Sequence, residues 1–177
     1  HLTKLINDEI VSSEYKDGIN DNSKIYMLMD TIIERKNNKN RKIIFANFHE
    51  EIIFIKNKLL EKGFKVDYID GTTSKNNRKE ILKKELDVLI LQIKTGNEGL
   101  NLQEYNEIYF ITPDWNPKIE EQAIGRCYRM GQKKEVHVFK FIMNNFDNEN
   151  KTKNIEMYTE DIQKSKLKIE KKILEDN

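Results

Sequence analysis

From residue 42 to residue 143 short apolar runs alternate with helical patterns, and this alternation constrains the fold more than any other feature of the chain. The run "DVLILQI" (87–93) is nearly all apolar. A strand covered by helices on both sides has no polar face, so a continuous apolar run between helical patterns reads as the interior of a parallel sheet. The segments "KIIFANF" (42–48), "FKVDYIDG" (64–71), "NEIYFITP" (106–113) and "EVHVFKFIM" (135–143) read as further strands. Between the first two lies "HEEIIFIKNKLLEKG" (49–63), with Ile52, Ile55 and Leu59 at helical spacing and Gly63 placed to stop the helix. A serine opens "SKNNRKEILKKEL" (74–86), which reads as a capped helix. Strand and helix in regular succession predict an α/β fold with a mostly parallel central sheet flanked by helices.

The flanks differ from this core. In "DNSKIYMLMDTIIERKNN" (21–38), Ser23 caps a helix whose apolar face is Ile25, Leu28, Met29, Ile32 and Ile33. Residues 144–154 are polar and read as a loop, after which Ile155, Tyr158, Ile162, Ile169 and Ile173 recur at roughly helical intervals. That last helix either docks on the sheet or projects from it. The expected division is an N-terminal extension over 1–22, a core over 23–143, and a polar loop with a C-terminal helix over 144–177. The opening "HLTKLINDEIV" reads as part of a longer polypeptide. Lys and Arg total 31 against 30 Asp and Glu, so a net charge of +1 selects no class of partner and any basic surface must be local. The single cysteine, Cys127, excludes an internal disulfide and a zinc framework, which fits a reducing intracellular compartment, whether nucleus, bacterial cytoplasm or viral factory. No apolar run approaches a membrane span, so a soluble chain without a membrane partner is expected.

The segment "DWNPKIEEQAIGRCYRMGQ" (114–132) carries the chemistry. Asn116 is placed to cap a helix, Pro117 to occupy its first position and Gly131 to lie just past its end. On such a helix Ile119, Ala123, Cys127 and Met130 form one stripe, which faces the sheet. At about 100° per residue, Gln122, Arg126 and Arg129 share an arc of about 60° beside it. Permanently charged planar forks suit phosphate oxygens, and two on one arc suit a di- or triphosphate. Spacing alone favours a surface pair bonded to nearby carboxylates such as Glu120 or Glu121. Other motifs are as double-sided. "TGNEG" (95–99) is a turn or a ligand loop at the carboxyl end of a strand. Asp70-Gly71-Thr72-Thr73 is a turn with a helix cap or a set of phosphate donors, and Lys75, Arg78, Lys79, Lys83 and Lys84 are a solvated face or a DNA contact. Trp115 anchors the loop before the arginine helix, and His49 and His137, with no acidic or cysteine partners spaced for a site, receive no catalytic role.

Taken together, "QAIGRCYRMGQ" (122–132) resembles motif VI of the second RecA-like lobe of superfamily-two helicases. With "DWNP" before it and "KKEVHVFKF" after it, the segment is more specifically similar to the Swi/Snf-type DNA-dependent ATPases. Upstream and in the same order, "KIIFANFHEEIIFIKNKL" resembles motif IV, "YIDGTTSKNNR" the family's "LDGSTSxxxR" element, and "QIKTGNEGLNL" motif V. Departures are visible: Ala46 and Asn47 stand where motif IV usually has serine and glutamine, Gln92-Ile93 replace a Ser-Thr pair, Thr95 and Asn97 replace alanine and glycine, and Gly125 replaces a common aspartate. The resemblance implies a RecA-like three-layer sandwich with N- and C-terminal helical extensions. It implies arginine fingers at Arg126 and Arg129, ATP-facing roles for Gln122, Gly99 and Asn101, and DNA contacts from Asn47, Gly71, Thr72, Lys94 and Thr95. ATP and magnesium would be bound mainly by an N-terminal RecA-like lobe of the same polypeptide, with double-stranded DNA as the other partner. The chain has no G-x-x-x-x-G-K-[ST] loop, so it is expected to be inactive alone and to work as half of a DNA translocase. Two other readings stand beside this one: a lobe of an unwinding RNA or DNA helicase, and a module that only docks DNA or protein.

Overall fold

The computed structural model describes residues 2–6, 9–13, 24–95, 99–112, 114–143, 158–159 and 161–166. Its strands are β1 (Leu2–Ile6), β2 (Glu9–Ser13), β3 (Arg41–Ala46), β4 (Val66–Ile69), β5 (Val88–Gln92), β6 (Tyr105–Phe110) and β7 (His137–Met143). Its helices are α1 (Lys24–Glu34), α2 (His49–Glu61), α3 (Lys75–Leu82) and α4 (Pro117–Cys127). They form one sheet of order β2-β1-β7-β6-β3-β5-β4. The five strands β7-β6-β3-β5-β4 are mutually parallel, as the apolar runs predict. Two N-terminal strands, unforeseen in the sequence, extend that sheet: β1 pairs antiparallel with both β7 and β2.

Each central strand serves two cores because successive side chains point to opposite faces. Ile44 of β3 and Val88 and Ile90 of β5 pack with Leu28 and Ile32 of α1 and with Ile52, Ile55 and Leu59 of α2. Ile43 and Phe45, with Leu89 and Leu91, meet Ala123 and Cys127 of α4 on the other side. Burying such a side chain stabilises by about 1.5–3 kcal/mol, and many here are fully buried, so these layers dominate the fold. Gly63 stops α2 with a φ of +74°, a conformation that favours glycine. Ser23 lies outside the described residues, as do Ile155, Ile169 and Ile173.

At the amino end of the parallel strands sits a polar core that the sequence did not announce. Glu107 is fully buried and accepts from Arg35 Nε at 2.9 Å, Asn40 Nδ2 at 3.0 Å and Tyr109 OH at 2.7 Å. Burial alone would raise its pKa, but these donors hold the carboxyl down at about 2. With that edge closed by structural bonds, the loops at the carboxyl ends of the strands are the natural place for ligands in an open α/β sheet.

Candidate nucleotide and nucleic-acid sites

The loops following β3, β4 and β5 are joined to one another. Gln92, at the end of β5, donates from Nε2 to the Asn47 carbonyl at 3.1 Å, and its Oε1 accepts from Gly71 N–H at 3.0 Å. Because β5 lies between β3 and β4, one amide side chain spans the gap between their loops. A serine, the residue usual here in the resembling motif, is too short to reach both. A second tie runs parallel to it: His49 Nδ1, in the first turn of α2, lies 2.8 Å from Asp70 Oδ2. The expectation that His49 lacks an acidic partner is therefore corrected, since the partner is distant in sequence and adjacent in space.

Asp70 organises the turn after β4. Its Oδ1 accepts from the N–H groups of Thr72 and Thr73 at 3.0 Å and from both their hydroxyls at 2.8 Å. Against the desolvation that burial imposes, these donors and His49 hold the carboxyl at about 2. The donors expected to be open to a phosphate are thus directed inward, and Thr72, though exposed, points its hydroxyl proton at Asp70. Arg78, expected on a solvated or DNA-facing run, is buried and donates from Nε to the Thr73 carbonyl at 2.9 Å. Lys83 and Lys84 are paired with Glu80 and Asp67. Thr95 is another correction: it is buried, and its hydroxyl closes the turn onto the Gln92 carbonyl at 2.7 Å. It shapes the loop rather than presenting a donor. Lys94 beside it is exposed, as is Gly71, while Asn47 is half-buried.

The arginine segment is built differently. Asn116 caps α4 by accepting from Lys118 N–H at 3.1 Å, and Pro117 holds its first position, as expected. The helix ends at Cys127, three residues before the expected stop, because Tyr128 leaves helical geometry with ψ of 82°. Outside groups take the freed carbonyls: Leu102 N–H donates to Arg126 O at 3.2 Å, and Gln132 Nε2 bridges Cys127 O at 3.4 Å and Gln103 O at 2.7 Å. Gly131, with φ of +106°, belongs to the following turn, closed by Gln132 N–H on Arg129 O. Two expectations fail in consequence. Met130 is 96% exposed and off the apolar stripe, and Arg129 stands on a turn rather than on the arc shared by Gln122 and Arg126. Burial raises the Cys127 thiol to about 12, so it packs rather than reacts.

Glu120, one of the two glutamates expected as arginine partners from spacing, is engaged elsewhere. Glu120 is buried and turned toward Lys140 at 2.5 Å, Asp114 N–H at 2.8 Å and Gln163 Nε2 at 2.9 Å. Through Gln163, and through Lys166 donating to the Trp115 carbonyl at 3.0 Å, the helical residues 161–166 dock on the loop before α4. Trp115 meets Tyr158 edge-on, so the loop it was expected to anchor is fastened to the chain's C-terminal part. Arg129 and Gln122 are exposed and Arg126 is half-buried. Gly99, at φ of +70°, and Asn101 are exposed on the stretch leading to Leu102, which bonds α4. The connection after β5 thus begins against Gly71 and ends against Arg126, touching both groups of residues.

Comparison with known proteins gives the family. The family model described as the helicase conserved C-terminal domain matches residues 23–131. The chain is 31% identical over 155 residues to the Helicase-like transcription factor of Mus musculus, covering 82% of this chain and 15% of that protein. It is 33% identical over 140 residues to the Homo sapiens protein of the same name, covering 74% and 14%. DNA repair protein RAD5B of Arabidopsis thaliana is 31% identical over 70% of this chain and 10% of its own length. The chain therefore spans about a seventh or less of these relatives. In structure, the C-terminal part of the Fun30 ATPase domain superposes with a TM-score of 0.62 at 20% identity, over 78% of this chain and 51% of that one, which supports the RecA-like α/β fold. Matched over most of its core by the family and carrying the family's motifs in order, the chain belongs to the helicase conserved C-terminal domains, as a lobe of the Swi/Snf type.

Proposed function

We propose that this chain is the second motor lobe of an ATP-dependent double-stranded-DNA translocase. In this reading Arg126 and Arg129 reach the phosphates of ATP bound on the first lobe of the parent protein, with Gln122, Gly99 and Asn101 completing that surface. Asn47, Gly71, Thr72 and Lys94 line the edge that grips the DNA backbone, and Thr95 holds the loop that carries Lys94. Among the described residues no group of three or more His, Cys, Asp or Glu is placed to hold a metal ion, and magnesium with ATP would sit on the first lobe. The arginine forks fit phosphate oxygens, and bound ATP would supply the transferring phosphoryl group.

The observation that carries this reading is the Arg129 side chain, exposed and without a bonded partner among the described residues, on a turn flanked by Tyr128 at 71% and Met130 at 96% exposure. An exposed charge with apolar neighbours on each side suits a surface that closes against another body. Closure over each ATP cycle would move the DNA edge through the connection after β5. The test separates lobe from engine. The isolated chain should bind duplex weakly, lose that affinity steeply with salt, and hydrolyse no ATP above background, whereas the parent protein should show DNA-stimulated turnover. DNA-stimulated turnover by the purified isolated chain would overturn the proposal.

A further inference from the structure

Of the two ties between the loops after β3 and β4, one engages both ends of its side chain and the other does not. Gln92 uses its amide oxygen and nitrogen. His49 uses only Nδ1, and no described side chain bonds its Nε2. The imidazole is 50% exposed, whereas Asp70 beneath it is 3% exposed. Asp70 therefore fixes the ring from below and leaves its far nitrogen at the surface, next to the exposed Gly71 and Thr72.

Resting on the reading that this edge grips the duplex, we infer that His49 is a further phosphate-contact residue that takes up a proton as DNA binds. In the neutral ring, Nδ1–H donates to Asp70 and Nε2 carries a lone pair, which a phosphate oxygen repels. On protonation Nε2–H becomes a charged donor, and the His49–Asp70 pair passes from a net charge of −1 to zero. Asp70 stays ionised throughout, its carboxyl being held at about 2. Charged groups of both signs stand around the ring. Glu50 and Glu51 follow on α2, and they add negative charge that an approaching phosphate meets. From β4 the Tyr68 ring stands edge-on to the imidazole at 6.0 Å, with Lys56 of α2 over that ring. Arg78 of α3 donates to carbonyls of the turn behind Asp70. Imidazoles are the side chains that change charge between about pH 5 and 8.

The experiment measures binding of the parent protein to a non-specific duplex without nucleotide, at about pH 6 and about pH 8, across a salt series at each. Wild type should bind several-fold more tightly at the lower pH, with a logarithmic salt slope steeper by about 0.9, the contribution of one more neutralised phosphate. His49→Gln should lose both differences and bind at either pH as wild type does near pH 8. His49→Lys, permanently charged, should hold the low-pH affinity and slope at both. Retention of the wild-type pH difference in His49→Gln would place the proton elsewhere, at His137 for instance, and overturn the inference. So would His49→Lys binding like His49→Gln with an unchanged melting temperature. Tight wild-type binding that ignores pH would remove the role of His49 and leave the grip intact, whereas no duplex binding at either pH would remove both.

Discussion

The edge formed by the loops after β3, β4 and β5 and the turn after α4 carry adjacent parts of one proposed cycle, and they are built in opposite ways. Along the first, polar groups bond one another: Asp70 gathers four donors on one oxygen, Arg78 closes the turn from behind, and Gln92 and His49 bridge between loops. Around the second, the backbone is fastened by Leu102 and Gln132, but the side chains of Tyr128, Arg129 and Met130 face solvent. A pre-bonded surface keeps its shape whatever binds it. An open one reaches its working geometry only against a partner. Each kind of damage should therefore appear in its own place: substitution on the first edge costs stability and grip, and substitution on the second costs turnover with folding spared.

The largest expected effect tests the open side. In the parent protein, Arg129→Lys keeps the charge and loses the planar fork, so DNA-stimulated ATP turnover should fall by about 10³ to 10⁵, the usual worth of an arginine finger. The melting temperature of the lobe should stay close to wild type, because Arg129 touches neither core. Turnover near normal would remove the finger role. A collapsed melting temperature would erase the contrast between the two regions.

How far the sequence reached follows the same divide between near and distant partners. The parallel strands, α2 and the cap of α4 were legible because period-two and continuous apolar runs, a glycine stop and an Asn-Pro start are local signals. The end of α4 was not, because Leu102 and Gln132 stop that helix from outside it, and the helical spacing continues past Cys127 on paper. Distance hid the partners of His49 and Glu107 in the same way, His49 meeting Asp70 and Glu107 meeting Arg35 at least 21 residues away, whereas the turn that Asp70 closes onto Thr72 and Thr73 is local and was legible. Gln92 left a trace: it replaces a small hydroxyl residue in the resembling motif with one that carries both a donor and an acceptor. The strands β1 and β2 lacked even that, since "LTKLI" and "EIVSS" are short and gain their register from β7 and from each other.

An intermediate effect tests the closed side through its centre. Asp70→Ala removes the buried acceptor of four donors in its turn and should cost about 1–3 kcal/mol of stability at neutral pH, read from the denaturation midpoint. The acid response supplies an independent check. A carboxyl held at about 2 in the folded chain against roughly 4 when unfolded contributes its stability fully above about pH 4, and that contribution is lost as pH falls toward 2. The variant should therefore lose less stability than wild type across that interval, with the share due to Glu107, also held at about 2, remaining. Identical acid profiles would mean that Asp70 does not act as the hub of this edge.

The smallest expected effect discriminates most finely, because it asks whether bridging between loops matters beyond stability. Gln92→Ser restores the residue type usual in the resembling motif and removes both contacts, to the Asn47 carbonyl and to Gly71 N–H. Gln92 is half-buried, so water can replace part of what is lost and the stability change should be only about 1 kcal/mol. Duplex affinity of the parent protein should fall several-fold at the same time, since Asn47 and Gly71 are no longer held at a fixed separation, while the salt slope stays unchanged because no phosphate-contacting charge is removed. A matching loss in Arg129→Lys is not expected. Unchanged affinity in Gln92→Ser beside a lowered melting temperature would reduce the tie to a stability device, and the pre-bonded edge would owe its grip to Asp70 and His49 alone.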